Sequence, residues 1–173
     1  MTIKRAAVGY IIFMGLAAAQ GAYYYSQLPQ RVASHFNAAG QPDGWMDKET
    51  MVWLSIGFIA GMSVMWLGIG TLLKCTPVSL INLPNKDYWL APERRDWTFA
   101  AISADFARFG YVLCSFLLIL FEMAYRANLR TEPRLSNAVW LLLAGFLVFS
   151  LIWTVKFYLY FRRPAGDDGT GAL

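Results

Sequence analysis

Four apolar stretches, at residues 6–25, 51–73, 109–125 and 139–161, constrain this chain more than any other feature. A transmembrane α-helix needs about 20 predominantly apolar residues, with about 17 as a lower limit. Only helices and closed barrels satisfy their backbone hydrogen bonds in lipid, and runs of this length are typical of helices. The sequence therefore predicts an all-α, polytopic membrane protein with four transmembrane helices in one domain, residues 1–163.

The composition agrees with a lipid environment. Hydrophobic residues make up 57% of the 173 residues and charged residues only 15%, whereas about a quarter of a soluble protein is charged. The net charge of +4 arises from basic residues beside the apolar runs, not from a basic face or stripe. We therefore expect the lipid bilayer as a partner and no nucleic acid.

The first apolar run could be read as a cleaved signal peptide, because small residues at 17–19 resemble a cleavage site. Tyr23, Tyr24 and Tyr25 favour a spanning helix instead, since they extend the run to full length and resemble an interfacial aromatic belt.

Lysine and arginine residues between the runs predict the orientation, because cytoplasmic flanks are enriched in them. Nine lie on the side of both termini and five on the opposite side. Both termini are therefore predicted to be cytoplasmic, with an extracytoplasmic loop at 26–50, a cytoplasmic loop at 74–98 and a flexible cytoplasmic tail at 164–173.

The third helix is predicted to begin at Pro92 and to extend to about residue 129, so that its first turns lie outside the lipid. Ionisable groups inside spans are candidates for function, and here they are Asp105, Arg108, Glu122 and Arg126. Their spacings of three and four residues allow local neutralisation on the helix. A polar cavity or an ion path is the alternative.

Gly57, Gly61 and Gly68 form a stripe of small residues on the second predicted helix, where a neighbouring helix could approach closely. Two interpretations remain open. In the first, the stripe packs inside the monomer. In the second, it contacts another protein, which is either a second copy of this chain or a larger membrane protein complex of which this protein is an accessory subunit.

In the first loop, Val32, His35, Phe36 and Ala39 have the spacing of a helical stripe, which predicts a short surface helix capped by Gly40. Residues 41–44 then form a predicted turn.

His35, Asn37, Asp43 and Trp45 are the candidate ligand-binding residues of this loop. A structural role for the histidine, a ligand or peptide site, and a metal site are all open, although the carboxylates near His35 lack the spacing of known metal sites.

The loop residues Leu28-Pro29, Val32, His35-Phe36-Asn37, Gly40 and Pro42-Asp43-Gly44-Trp45 resemble the signature of a bacterial membrane family, the domain of unknown function 1648. A second segment, residues 82–95, is similar to the intracellular loop of short members. The resemblance implies the bacterial cytoplasmic membrane. It also implies a distant similarity to SdpI-like immunity and signalling proteins, which have later spans that this chain lacks.

The segment 82–95 reads as a structured cytoplasmic loop with interfacial Tyr88 and Trp89, which anchors the third helix or contacts a cytoplasmic partner. The chain lacks the usual motifs of nucleophilic, metal-dependent and phosphate-binding enzymes. We therefore expect a non-enzymatic protein with no cofactor and no metal. A receptor-like or immunity role through the outer loop, an accessory-subunit role, and ion or solute transport are the hypotheses.

Overall fold

A computed structural model of the chain describes residues 3–162, so the tail predicted at 164–173 lies outside the described residues. The described residues form five α-helices and two β-strands. In order they are α1 (Ile3–Tyr25), β1 (Arg31–Phe36), β2 (Pro42–Asp47), α2 (Lys48–Cys75), α3 (Lys86–Trp89), α4 (Arg95–Asn128) and α5 (Ala138–Phe161).

Helices α1, α2, α4 and α5 are each long and apolar enough to cross a membrane, which confirms the predicted four-span helical fold. Helix α1 runs parallel to α4, because Tyr10 meets Ala107 and Tyr24 meets Glu122. Both α2 and α5 run antiparallel to α4. The bundle therefore has a hairpin end, formed by residues 26–47 and 129–137, and a loop end, formed by residues 76–94 with the start of α1 and the end of α5.

Two tyrosines and two glycines interlock α1 and α4. Tyr10 on α1 lies over Gly110, and Tyr111 on α4 lies over Gly9, so that a Cβ on either glycine would collide with the facing hydroxyl. The Tyr10 hydroxyl donates to the Ala107 carbonyl at 2.9 Å, and the Tyr111 hydroxyl donates to the Ala6 carbonyl at 2.9 Å. Close backbone approach at small residues is the usual way for helices to associate in lipid.

Helix α5 packs on α4 through aromatic side chains and otherwise remains exposed. Its ring contacts include Phe109 with Trp153 at 4.6 Å and Phe116 with Phe146 at 4.5 Å between centroids. Only Phe161 is buried among its described residues. The apolar exposed surface of α5 is therefore suited to contact with lipid.

The prediction of a short surface helix around His35 is wrong, because residues 31–47 form an antiparallel hairpin. Strand register pairs Ala33 with Trp45, and an irregularity follows on either side of His35. Asn37 and Gly40 explain the difference, since both are strong turn formers and they reverse the chain within the segment predicted as a helix. The turn predicted at 41–44 is accordingly wrong too, since residues 42–44 lie in β2 and residue 41 directly precedes it.

The glycine stripe does not pack inside the monomer. Gly57, Gly61 and Gly68 are exposed, and a Cβ on any of them would meet nothing within 4 Å. The first of the two interpretations is therefore wrong within the described chain, and the close helix contacts lie at Gly9 and Gly110 instead.

The loop end is structured, although two details differ from expectation. Helix α4 begins at Arg95 and not at Pro92, because a turn in which Arg94 and Arg95 both donate to the Ala91 carbonyl precedes it. Trp89 is buried within the protein and does not present its ring at the surface; its indole N–H donates to the Phe161 carbonyl at 2.8 Å. Helix ends leave carbonyls without partners, so this bond fastens the end of α5 to the loop.

Candidate functional site

The hairpin has one face fixed to the bundle. Val32 and Ala33 are fully buried, and Val32 packs with Leu28, Tyr24 and Tyr125 in one apolar cluster. Burial of this apolar surface holds the base of the hairpin on α1, α2 and α4.

Asn128, at the end of α4, binds the backbone of β1. Its Oδ1 accepts from the Ala33 N–H at 2.6 Å, and its Nδ2 donates to the Ala33 carbonyl at 3.0 Å and to the Ala124 carbonyl at 3.0 Å. An amide side chain presents an acceptor and a donor side by side, as a neighbouring β-strand does. Asn128 thus provides hydrogen-bond partners for the backbone N–H and carbonyl of buried Ala33, at the edge of β1 that does not face β2.

Asn37 and Gly40 build the hairpin turn. The Asn37 Oδ1 accepts from the backbone N–H groups of Ala39 at 2.9 Å and Gln41 at 3.0 Å. Gly40 has a φ of 75°, and its carbonyl accepts from Leu135 N–H at 2.9 Å. A side chain at Gly40 would be strained and would collide with the Leu135 carbonyl. The turn is therefore tied to the segment 129–137.

The other face of the hairpin is exposed and carries three of the four predicted ligand-binding residues. The Nδ1 of His35 contacts the Asp43 carboxylate, and both side chains are accessible. Trp45 is 44% exposed, and Asp43, Trp45 and Asp47 alternate along the exposed side of β2. The structure brings His35 and Asp43 together, with Trp45 beside them on the strand. Asn37 is instead engaged by the turn.

A polar network lies between α1 and α4, next to the hairpin. The Glu122 carboxylate accepts from Gln20 Nε2 at 2.9 Å, Tyr24 hydroxyl at 2.6 Å and Arg126 Nε at 2.6 Å. The local pair with Arg126 matches the predicted spacing, whereas the partners on α1 were not predicted. Gln20 is a polar residue in an otherwise apolar run, and this was the signal that could have indicated them.

This network reaches the hairpin base through two stacked rings. Tyr24 and Tyr125 stack with centroids 5.0 Å apart, and the Tyr125 hydroxyl is 2.6 Å from the hydroxyl of Ser55 on α2. Glu122, Gln20, Tyr24 and Arg126 also line an open groove of about 500 Å³. The hairpin, α1, α2 and α4 are thus joined by contiguous contacts at this end.

The second predicted pair, Asp105 and Arg108, lies in the half of α4 towards the loop end. Arg108 Nη1 is 3.7 Å from Asp105 Oδ1. Between residues 3 and 162, no three His, Cys, Asp or Glu residues are grouped so that they could hold a metal ion.

The fold and this site define a class: a multi-pass membrane protein with four long apolar helices and a β-hairpin fixed to one end of the bundle. Residues 12–59 match the model of the family described as Domain of unknown function (DUF1648). This segment includes the second half of α1, the whole hairpin and the start of α2, and therefore all four predicted ligand-binding residues. No curated protein and no solved structure matches the chain.

Proposed function

We propose that this protein is a non-enzymatic receptor-like membrane protein, of the immunity or signalling type, that binds a peptide at the exposed face of its hairpin. The observation that carries the proposal is the division of the hairpin into two faces. One face is fixed to the helices by Asn128 and Val32, while the other presents His35, Asp43 and Trp45 to the medium. Exposed aromatic and charged side chains on a rigid support are typical of binding surfaces.

Charge and hydrogen bonding favour a cationic peptide. Asp43 and Asp47 flank Trp45 on the exposed face of β2, so the face offers two carboxylates around an aromatic ring. The sheet has two strands in the described chain, and the outer edge of β2 has no strand partner. A peptide could extend the sheet there through main-chain hydrogen bonds, with its basic side chains against the two aspartates.

The contacts beneath the hairpin support a signalling role. Tyr24 and Tyr125 lie directly under the hairpin, and Tyr24 donates to Glu122 in the network between α1 and α4. A ligand that shifted the hairpin would alter this network, and with it the packing of α1 on α4. Because α1 and α4 both extend to the loop end, such a change in their packing would reach that end of the bundle.

The proposed location is the bacterial cytoplasmic membrane, with the hairpin outside and both termini inside. Nine of the lysines and arginines in the flanks lie on the side of the termini and five on the hairpin side, in agreement with the positive-inside rule. The distant similarity to SdpI-like proteins that we expect from the sequence is the reason for proposing an immunity or signalling role. A peptide that acts on the cell envelope would then meet the hairpin first.

A binding experiment tests the proposal. The protein in lipid nanodiscs is titrated into a fluorescent panel of cationic envelope-active peptides, with neutral analogues of equal length, and fluorescence anisotropy is recorded. We expect at least one cationic peptide to bind and Asp43→Asn to weaken its binding about tenfold, which is the loss of roughly one charge-assisted contact. Cells without the gene should be more sensitive to the same peptide.

Glu132→Gln is the matched control, because Glu132 is exposed in the segment 129–137 at the same end of the bundle. It removes one negative charge without changing the hairpin. The proposal is contradicted if no cationic peptide binds above its neutral analogue, or if Glu132→Gln weakens binding as much as Asp43→Asn.

A further inference from the structure

A cleft of about 400 Å³ lies between α4 and α5 near the loop end, and it is separate from the hairpin site. Aromatic and apolar side chains form most of its wall, together with one acid and one base. The principal lining residues are Ala101, Asp105, Trp153, Lys156, Phe157 and Tyr160.

The acid of this cleft, Asp105, lies among aromatic rings and forms a long ion pair with Arg108. The Asp105 side chain is 19% exposed, and its ion-pair partner Arg108 is 3.7 Å away, which is longer than a hydrogen bond. The Trp153 indole lies beside the carboxylate, but its N–H makes no hydrogen bond of ordinary geometry within the described chain. Asp105 therefore retains capacity to accept hydrogen bonds from a cation in the cleft.

The base of the cleft is Lys156, on the facing helix. The ion pairs within 4.0 Å among residues 3–162 include none between Asp105 and Lys156, although both line the same cleft. The cleft thus holds a positive and a negative group that do not form an ion pair with each other.

The cleft lies close to the loop end of the two helices. Lys156 lies five residues before the end of α5 at Phe161, which at 1.5 Å per residue is about 7.5 Å along the helix axis. A lysine at this depth can extend its ammonium group to the interface. Asp105 on α4 lines the same cleft as Lys156 on α5. The neighbouring residue Phe106 contacts Trp153 and Phe157, so this part of α4 packs against this part of α5.

We propose that this cleft binds the headgroup of a zwitterionic phospholipid. The lipid ammonium lies against Asp105 and the rings of Trp153 and Phe157, which attract cations through their π faces. The lipid phosphate lies against Lys156, and the acyl chains follow the exposed surface of α5. An anionic headgroup without an amine would leave Asp105 facing a phosphate, and a simple cation would leave Lys156 without a counter-ion.

Native mass spectrometry of the detergent-solubilised protein tests this proposal. Phosphatidylethanolamine and phosphatidylglycerol with identical acyl chains are added in equal amounts, and the populations of the two complexes are compared. We expect the zwitterionic lipid to be favoured about tenfold, as a charge-assisted contact predicts. Asp105→Asn should abolish the preference, and Lys156→Gln should weaken binding of the zwitterionic lipid.

Lys74→Gln is the matched control, because Lys74 is an exposed lysine near the loop end that lines a different cleft. Ala101→Phe fills the cleft without changing its charge, and it should reduce binding of the zwitterionic lipid. This variant tests the proposal if Asp105→Asn does not fold. Equal binding of the two lipids by the native protein overturns the proposal. So does an equal loss in Lys74→Gln, or full competition by soluble phosphoethanolamine, which would indicate a site for the free zwitterion.

Discussion

Asn128 is the residue on which the position of the hairpin depends most directly. Its side chain pairs with both the N–H and the carbonyl of Ala33, and all these groups are buried. A buried backbone group without a partner costs the free energy of its desolvation. The sequence offered little warning of this role, because an asparagine at the end of an apolar run is most simply interpreted as the end of a span.

We therefore predict that Asn128→Ala loosens the hairpin. The substitution leaves the Ala33 N–H and carbonyl buried without partners, which should cost about 1–3 kcal/mol. Amide hydrogen exchange in β1 and β2 should accelerate before exchange in the helices does, and mass spectrometry of the exchanged protein measures this.

Asn137→Ala is the control, since Asn137 precedes α5 and makes no side-chain capping bond. Unchanged exchange in Asn128→Ala, or equal acceleration in both variants, would show that the amide clamp does not hold the hairpin.

Glu122 illustrates what can be predicted for a single residue. Its pairing with Arg126 follows from a spacing of four residues along a helix, and the two groups are 2.6 Å apart. Its bonds to Gln20 and Tyr24 join residues about 100 positions apart in the chain. Only the parallel packing of α1 on α4 brings them together.

The glycines determine how closely the helices approach each other. The stripe at Gly57, Gly61 and Gly68 has the more regular spacing, yet it faces away from the bundle. Gly110 is the single glycine of α4, and the next glycine after Gly9 in α1 is six residues away, which is not the spacing of one helical face. The role of both glycines depends on the tyrosine of the facing helix. Spacing within one helix cannot identify such a contact.

We predict that Gly110→Ala destabilises the bundle. The new methyl group would collide with the Tyr10 hydroxyl and lie 2.6 Å from the Trp66 ring. Both side chains are buried, so neither can move away easily. Forced overpacking of this kind costs about 1–3 kcal/mol. Thermal unfolding in a mild detergent should show a lower midpoint.

Gly61→Ala is the matched comparison, because the same methyl group would meet nothing within 4 Å. It should leave the midpoint unchanged or raise it, since alanine is favoured over glycine in a helix by up to about 1 kcal/mol. The interlock of α1 and α4 would be unnecessary for stability if the two variants behaved alike.

The hairpin is the element that sequence analysis interpreted wrongly. Val32 and Phe36 are four residues apart, which suits one face of a helix and also one face of a strand. The turn at Asn37 and Gly40 decides between the two, because it allows β2 to return beside β1 and satisfy its hydrogen bonds. Since periodicity is a weak signal over so few residues, turn chemistry was the better guide here.

Across the whole molecule, the two ends of the bundle are built differently. The hairpin end presents an exposed polar face on a fixed base, while at the loop end Trp89 and Asn85 bind the last carbonyls of α5. A protein with such a difference between its ends is suited to bind at one side of a membrane and to make other contacts at the opposite side.

Thiol labelling tests the proposed orientation. Cys75 is exposed at the loop end and Cys114 is buried, so the native chain carries one accessible thiol, which the proposed orientation places inside the cell. The variant Ser34→Cys with Cys75→Ser moves that thiol to the hairpin. In intact spheroplasts, a membrane-impermeant maleimide should label the variant, and should label the native protein only after permeabilisation.

The reverse pattern would place the hairpin in the cytoplasm and would remove the basis for binding an external peptide. Labelling of both proteins in permeabilised cells serves as the control for reactivity.

The sequence alone determined that this chain forms four helices long and apolar enough to span a membrane, because backbone groups in lipid must be satisfied within each segment and apolar length reflects that requirement. It also determined the local ion pairs on α4, since these depend only on helical spacing. The tertiary structure decided which glycines are packed, where Asn128 binds, and that Asp105 and Lys156 line one cleft. These contacts join distant parts of the chain, and their geometry depends on how whole helices pack together, which no local pattern encodes.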